Sequence, residues 1–240
     1  MTPTQAAQTK KNIGSLFDRI APSYDKFNHV TSLNIDRYWR QYAVKQMHKH
    51  QQVLDVAIGT ADLAIEMLRQ GKATHVQGID LSQEMMTIGK QKAERFFAKQ
   101  TDSQSLSVDF MLANAQAMPF DDNSFDAVTC AFGVRNFADL DAGLKEMHRV
   151  MKKDGELLIL EFSYPTNLLI RWGYNLYFSY VLPLIGRLMS KDKKAYTYLN
   201  QSVKQFPYGE KLVERLKKAG FDNITFQPLT FGIATLYQEH

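Results

Sequence analysis

Residues 53–67, VLDVAIGTADLAIEM, run from an apolar strand through a turn of small residues into a helix. Such an order opens a nucleotide-binding α/β fold, yet two features of those turns are missing. The glycine fingerprint G-x-G-x-x-G is replaced by Ala57, Gly59 and Ala61, and no phosphate-binding lysine follows. Asp55 at the strand end and Asp62 at the helix start place negative charge where a pyrophosphate would lie. Carboxylates repel phosphate and attract an ammonium or a sulfonium. The turn therefore selects a ligand with a cationic end.

Strand and helix signals alternate on both sides of this stretch. ATHVQGID (73–80) is expected as a second strand, SVDFMLAN (107–114) as a third, FDAVTCAF (125–132) as a fourth and ELLILEFS (156–163) as a fifth. Between them lie a helix ending at Gly71, a natural left-handed cap, a helix opened by Ser82 as N-cap, and a helix over 140–155 capped by Gly155. A last helix, GEKLVERLKKAGF, and the alternating NITFQPLTFGIATLYQ give a C-terminal helix and two antiparallel edge strands. This alternation implies a Rossmann-like α/β domain with a mostly parallel sheet covered on both faces. Residues 1–48 are expected as an N-terminal helical lid whose first 12 residues form a mobile leader. Pro22 is expected to break its short helices, and the last of them should run from about Asp36 to His48, with Tyr38, Tyr42 and Val44 toward a core. The domain then spans 49–240 and carries an apolar helical insertion over 165–206.

In such a sheet ligands bind at the carboxyl ends of the strands. Asp80 ends the second strand about 20 residues after the turn, where a carboxylate accepts both hydroxyls of a ribose. The plainer reading is an acid stabilised at a helix N-terminus. A ribose at one end and a cation at the other describe S-adenosylmethionine.

Bulk properties narrow the classes further. Of 240 residues, 45% are apolar and 22% charged, enough for a full core and unlike a disordered chain. A net charge of +4 is too mild for a nucleic-acid binder, which concentrates Lys and Arg on one face. The single cysteine, Cys130, excludes an internal disulfide and a cysteine-rich metal site, and the six histidines lack ligand spacing. With a polar N-terminus and no apolar run of about 18 residues, the chain is expected to be cytoplasmic, with peripheral contact at the inner face of a membrane as a further expectation. No metal is expected.

The blocks FDRIAPSYDKFN (17–28), WR (39–40), VLDVAIGTAD (53–62), GIDLSQEMM (78–86), NAQAMPFDDNSFDAVTCAFGVRNF (114–137), EMHRVMKKDGELLILEFSYP (146–165), AYTYLNQSVKQFP (195–207) and LTFGIATLY (229–237) together resemble the menaquinone/ubiquinone biosynthesis C-methyltransferases. The resemblance covers about Gly14 to Tyr237. It implies a class I methyltransferase fold of seven strands and S-adenosyl-L-methionine as cofactor, left as S-adenosyl-L-homocysteine. It also implies methyl transfer to a ring carbon of a reduced prenylated quinone, most directly 2-demethylmenaquinol. A ubiquinone-pathway benzoquinol or another small phenol is the alternative acceptor. A cofactor or lipid carrier without turnover is a different class, and a dehydrogenase is disfavoured by the turn.

Carried onto this chain, the family's cofactor threonine falls on Thr60, its ribose aspartate on Asp80, and its Asn-Ala pair beside the adenine on Asn114 and Ala115. Asp55, Gly59 and Leu81 complete the expected cofactor set. A serine that some members use is here Ala131, which offers no hydroxyl, and the usual glycine of GTGD is Ala61, which a right-handed helical conformation tolerates. A ring carbon beside a phenol becomes nucleophilic when the hydroxyl ionises, and at a pKa of about 10 roughly one molecule in a thousand is ionised at neutral pH. Arg135 is expected to stabilise the phenolate and to position a water that takes the proton, with Tyr24 bonding the same oxygen and Asn136 a weaker candidate. For Arg135 the competing reading is a salt bridge to Asp139 or Asp141; for Tyr24 it is a core or surface role. The aromatic-rich segment 165–189 suits the isoprenoid tail and a membrane interface, or else packs on the sheet or on another subunit.

Overall fold

In the computed structural model the described residues are 13–100, 105–177, 180, 198 and 201–239. The proposed leader (1–12) and most of 178–200, including much of the expected insertion, lie outside them. Strand β1 (His50–Val56) sits at the centre of a seven-stranded sheet because Val53, Leu54, Asp55 and Val56 are all buried, as a strand covered on both faces requires. The sheet order is β3-β2-β1-β4-β5-β7-β6, with β2 Ala73–Asp80, β3 Ser107–Leu112, β4 Phe125–Ala131, β5 Met151–Phe162, β6 Thr225–Leu229 and β7 Ala234–Glu239. The first five strands are parallel, and β7 runs antiparallel to both β5 and β6. After β1 the chain builds β2 and β3 on one side and returns to β4 on the other. The carboxyl ends of β1 and β4 thus flank the switch point, where such folds bind ligands.

The helices are α1 (Ile13–Thr31), α2 (Ile35–Gln46), α3 (Asp62–Arg69), α4 (Gln83–Phe97), α5 (Leu140–Val150), α6 (Leu168–Leu176) and α7 (Glu210–Ala219). One apolar layer, around Trp39, Val44, Met67 and Leu160, packs α2 and α3 on the sheet; the other, around Leu144, Met147, Leu216 and Phe221, packs α5 and α7 on the opposite face. As expected, α3 ends in a left-handed Gly71 (φ +64°), with Lys72 N–H donating to Met67 O at 2.9 Å. Ser82 likewise caps α4, accepting from Met85 N at 3.2 Å.

Four expectations are corrected. Pro22 lies inside one continuous 19-residue helix, because a face built from Ile13, Leu16, Ala21 and Phe27 is buried along its length. In α2 the core side chains are Trp39, Ala43 and Val44, and half-buried Tyr42 packs against them as expected while its hydroxyl donates to Gln227; Tyr38 alone departs, being exposed. The helix expected over 140–155 stops at Val150, since Met151 already pairs with Phe125 in the sheet, and Gly155 lies within β5. Finally, of the two C-terminal antiparallel strands only β6 lies at the edge of the sheet, for β7 is buried between it and β5.

Candidate active site

The turn after β1 is built on left-handed backbone: Ala57 (φ +58°), Gly59 (φ +54°) and Ala61 (φ +64°). Ala61 therefore departs from the right-handed conformation expected for it. A left-handed alanine costs about 1–2 kcal/mol, strain that the surrounding fold must hold in place. The turn aims Gly59 N–H at Asp80 Oδ2 (2.9 Å), while Ser82 N–H holds Oδ1 (2.8 Å). Burial pushes the Asp80 carboxyl up, and these backbone donors act against it. Across the turn, Gly133 has no space for a side chain: a Cβ there would stand 2.6 Å from Cys130 Sγ and 2.7 Å from Ala57 Cβ.

Between these walls lies a cavity of about 320 Å³, bordered by Gly59, Asp80, Leu81, Asn114, Ala115 and Phe137. Five of the expected cofactor residues are thus brought together, and Ala131 borders the cavity without a hydroxyl. Asp55 and Thr60 stand apart, in a small recess behind the turn. Thr60 Oγ1 donates to Asp25 on α1 (2.6 Å) and accepts from Lys92 Nζ (3.2 Å). Asp55 Oδ1 accepts from Thr129 Oγ1 (3.0 Å), whereas its buried Oδ2 has no partner, and burial pushes the carboxyl up to about 7. Asp62, by contrast, is ion-paired to Lys92 and sits 4.0 Å from Arg40. Of the two carboxylates expected to repel phosphate, Asp55 alone lacks a basic partner at bonding distance.

A second cavity of about 450 Å³ opens beside the first, sharing Phe17, Tyr24 and Phe132 with it. Its lining is overwhelmingly apolar, from Leu16, Ile20, Phe27 and Trp39 to Phe162, Ile170 and Ile233. Arg135, 5% exposed, is one of the few charges in its wall. Its guanidinium donates from Nη1 to Glu161 Oε1 (2.6 Å) and to Phe132 O (2.5 Å), lies 5.2 Å over the Phe162 ring, and leaves Nε unpartnered. The expected competitors are engaged elsewhere: Asp139 caps α5, and Asp141 pairs with Arg215. Burial alone would lower the Arg135 pKa, but Glu161 and Tyr24 hold it above its ordinary value, so the side chain stays a cation. Tyr24 is pushed up by burial and pulled down in part by Arg135. Asn136 borders the first cavity, and its Oδ1 accepts from Tyr198 (3.0 Å).

Glu161, Arg40, Asp25 and Lys92 were missed in the sequence. For Glu161 the signal was present: a lone carboxylate inside the apolar run LLILEF is buried only with a partner.

A sequence profile of the ubiE/COQ5 methyltransferase family matches residues 4–239. The chain belongs to this family. It is 41% identical to the demethylmenaquinone methyltransferase of Bacteroides fragilis, over 95% of this chain and 91% of that one. Against the ubiquinone/menaquinone biosynthesis C-methyltransferase UbiE of Geotalea uraniireducens the identity is 44%, over 95% of both chains. Among solved structures, an S-adenosylmethionine-dependent methyltransferase of Thermotoga maritima superposes with a TM-score of 0.63 at 18% identity, over 93% of this chain and 97% of that one. This last likeness bears on the fold alone. As a member of the ubiE/COQ5 methyltransferase family the protein is an S-adenosylmethionine-dependent enzyme, and the cavity around Asp80 has the donors and acceptors an adenosine would use.

Proposed function

We propose that this methyltransferase moves the methyl group of S-adenosylmethionine to a ring carbon of a reduced prenylated quinone, with 2-demethylmenaquinol as the acceptor. The observation that carries this reading is the pair of adjoining cavities. One has Asp80, Asn114 and Gln116 among mostly apolar walls, the other is more strongly apolar around Arg135, and Tyr24 and Phe132 border both. In this reading Gly59, Asp80, Leu81, Asn114 and Ala115 hold the nucleoside, while Asp55 faces the cationic end. When bound, the cofactor supplies an electrophilic methyl group.

The chain's own task is to make the ring carbon nucleophilic. Arg135 is held charged by Glu161 and keeps an N–H free in an apolar wall, where an anion has little competing solvation. A quinol oxygen beside it ionises more readily. Lowering the hydroxyl pKa by three units corresponds to about 4 kcal/mol of preferential phenolate stabilisation. Arg135 does not lose its own proton, so a water accepts the one the quinol hydroxyl gives up; after methyl transfer the ring carbon loses its hydrogen as a proton, which restores the aromatic ring, and S-adenosylhomocysteine is left. Tyr24 stays a neutral donor and bonds the same oxygen. The apolar chamber excludes bulk water and receives the isoprenoid tail.

Membrane contact extends the proposal. Leu33, Leu169 and Tyr177 line the mouth of the apolar chamber, and Leu33 and Leu169 are each 76% exposed, as is Phe231, with Trp172 close behind. No helix among the described residues is long and apolar enough to cross a membrane. Such a rim suits the interface, where the quinol tail lies. The double variant Leu169→Ser/Trp172→Ser is expected to float less with liposomes and to lose turnover on a long-chain quinol more than on a short-chain one. Equal losses on both would refute the membrane role.

The test of the reaction is anaerobic incubation with isotopically labelled S-adenosylmethionine and a panel of demethylquinols in reduced and oxidised form. Labelled methyl on the ring of the reduced naphthoquinol alone is the expected product. The ubiquinone-pathway reading predicts label on the benzoquinol instead.

A further inference from the structure

Phe17 and Tyr24 border both cavities from α1, and Phe132, directly after β4, borders both from the sheet. Phe132 is 6% exposed and takes a left-handed backbone, φ +58°. Glycine or asparagine would hold that conformation at lower cost, so a phenylalanine there is strain that the fold retains. Its backbone has little room to relax. Phe132 N–H donates to Leu160 O (2.7 Å), and its carbonyl accepts from Arg135 Nη1 (2.5 Å). The next residue is Gly133, where a Cβ would strike Cys130 and Ala57. The ring is equally confined: the Phe162 ring lies 4.5 Å away, the Trp39 ring 6.1 Å and the Arg40 guanidinium 5.2 Å. A fixed aromatic wedge therefore stands where the two cavities join.

That position matters because a quinolate can take a methyl group at two places. Its negative charge is shared between the oxygen and the ring carbon beside it, and the oxygen carries the larger part. Attack by oxygen forms a C–O bond as the donor's carbon–sulfur bond breaks; sulfur keeps the electron pair, and only the hydroxyl proton is lost. Attack by carbon forms a C–C bond in the same way, and the ring hydrogen then leaves as a proton to water. Arg135 borders the apolar chamber and not the cavity around Asp80. An oxygen held by its guanidinium is thereby kept out of the donor's cavity. We propose that the Phe132 ring makes Phe132 the specificity-determining residue for carbon over oxygen. It stops the acceptor from sliding toward the donor, so that the neighbouring carbon and not the anchored oxygen meets the methyl group. This rests on the methyl-transfer reading above and adds to it the residue that enforces attack by carbon.

Product analysis with labelled S-adenosylmethionine and reduced 2-demethylmenaquinol reads the choice directly. The O-methyl ether and the ring-methylated quinol have the same mass, but air oxidises only the latter to a quinone, so the two separate after aeration. The wild type is expected to favour carbon by at least about 100-fold, and Phe132→Leu, which stays apolar but lacks the ring, to lose about tenfold of that preference. Phe132→Gly, which suits the left-handed backbone, should lose more, and it serves where Phe132→Leu does not fold. Variants that turn over more slowly but keep the wild-type product ratio overturn the assignment and leave Phe132 a packing residue. A wild type that makes both products in comparable amounts overturns it as well. If the wild type methylates no quinol at all, the reaction proposed above falls instead.

Discussion

At the residue scale the site depends on two buried charges of opposite kind. Arg135 is compensated by Glu161, whereas Asp55 has only a hydroxyl, Thr129, at bonding distance, with Arg40 and Asp80 acting on it from farther off. The consequence for Asp55 is a pH dependence of defined sign. Its carboxyl holds a proton in the folded chain up to about pH 7, but in the unfolded chain only to about 4. The folded state therefore binds more protons between those values, and stability falls as pH rises through the window, by up to about 4 kcal/mol. Thermal unfolding of the unliganded protein from pH 5 to 8 should show this decline, and Asp55→Asn should flatten it. Parallel curves for the two proteins would refute the assignment. Ala61 shows a limit of reading residues singly: nothing in its identity announces a left-handed φ, which follows from how β1 must turn into α3.

At the scale of elements, α1 is the part that closes both cavities, and a few polar contacts fasten it. Asp18 accepts from Ser82 Oγ (2.6 Å), Asp25 from Thr60 Oγ1 (2.6 Å) and from Lys92 Nζ (3.0 Å), and Tyr177 on the far side donates to Thr31 O (2.7 Å). Lys92 is shared between Asp25 and Asp62, so Lys92→Met leaves two partly buried carboxylates facing each other. Faster amide exchange across 13–31 and a several-fold higher donor KM are expected, with the unfolding temperature lowered by only a few degrees, since an exposed or half-exposed pair contributes about 1 kcal/mol or less. Unchanged exchange in α1 would show that apolar packing alone holds it. Legibility divides along the same line. The Ser82 cap and the Gly71 stop were readable because their determinants are local. The continuity of α1 through Pro22 was not, since it depends on what Leu16 and Phe27 bury against.

For the whole molecule, the sheet was legible because its buried parallel strands are short apolar runs between helical ones, and the second strand matches residue for residue. The α5–β5 boundary was misread where a helical pattern gives way at Met151 to a strand whose exposed start is KKD. Most of the expected nucleoside-binding residues converge at one switch point, while Thr60 turned to the lid, a pairing with Asp25 that spans 35 positions and carries no local sign. Two neighbouring cavities, one around Asp80 and one apolar around a guanidinium, are what the topology finally produces.

The claim most exposed to test is that Arg135 makes the acceptor ionise. Ultraviolet difference titration of a short-chain demethylmenaquinol, held anaerobically in the complex with S-adenosylhomocysteine, reads the hydroxyl pKa directly. A midpoint near 7 in the wild type, returning toward about 10 in Arg135→Ala while S-adenosylhomocysteine affinity stays within about twofold, is the expected result. A bound quinol that titrates as it does in free solution, in both proteins, would contradict the account.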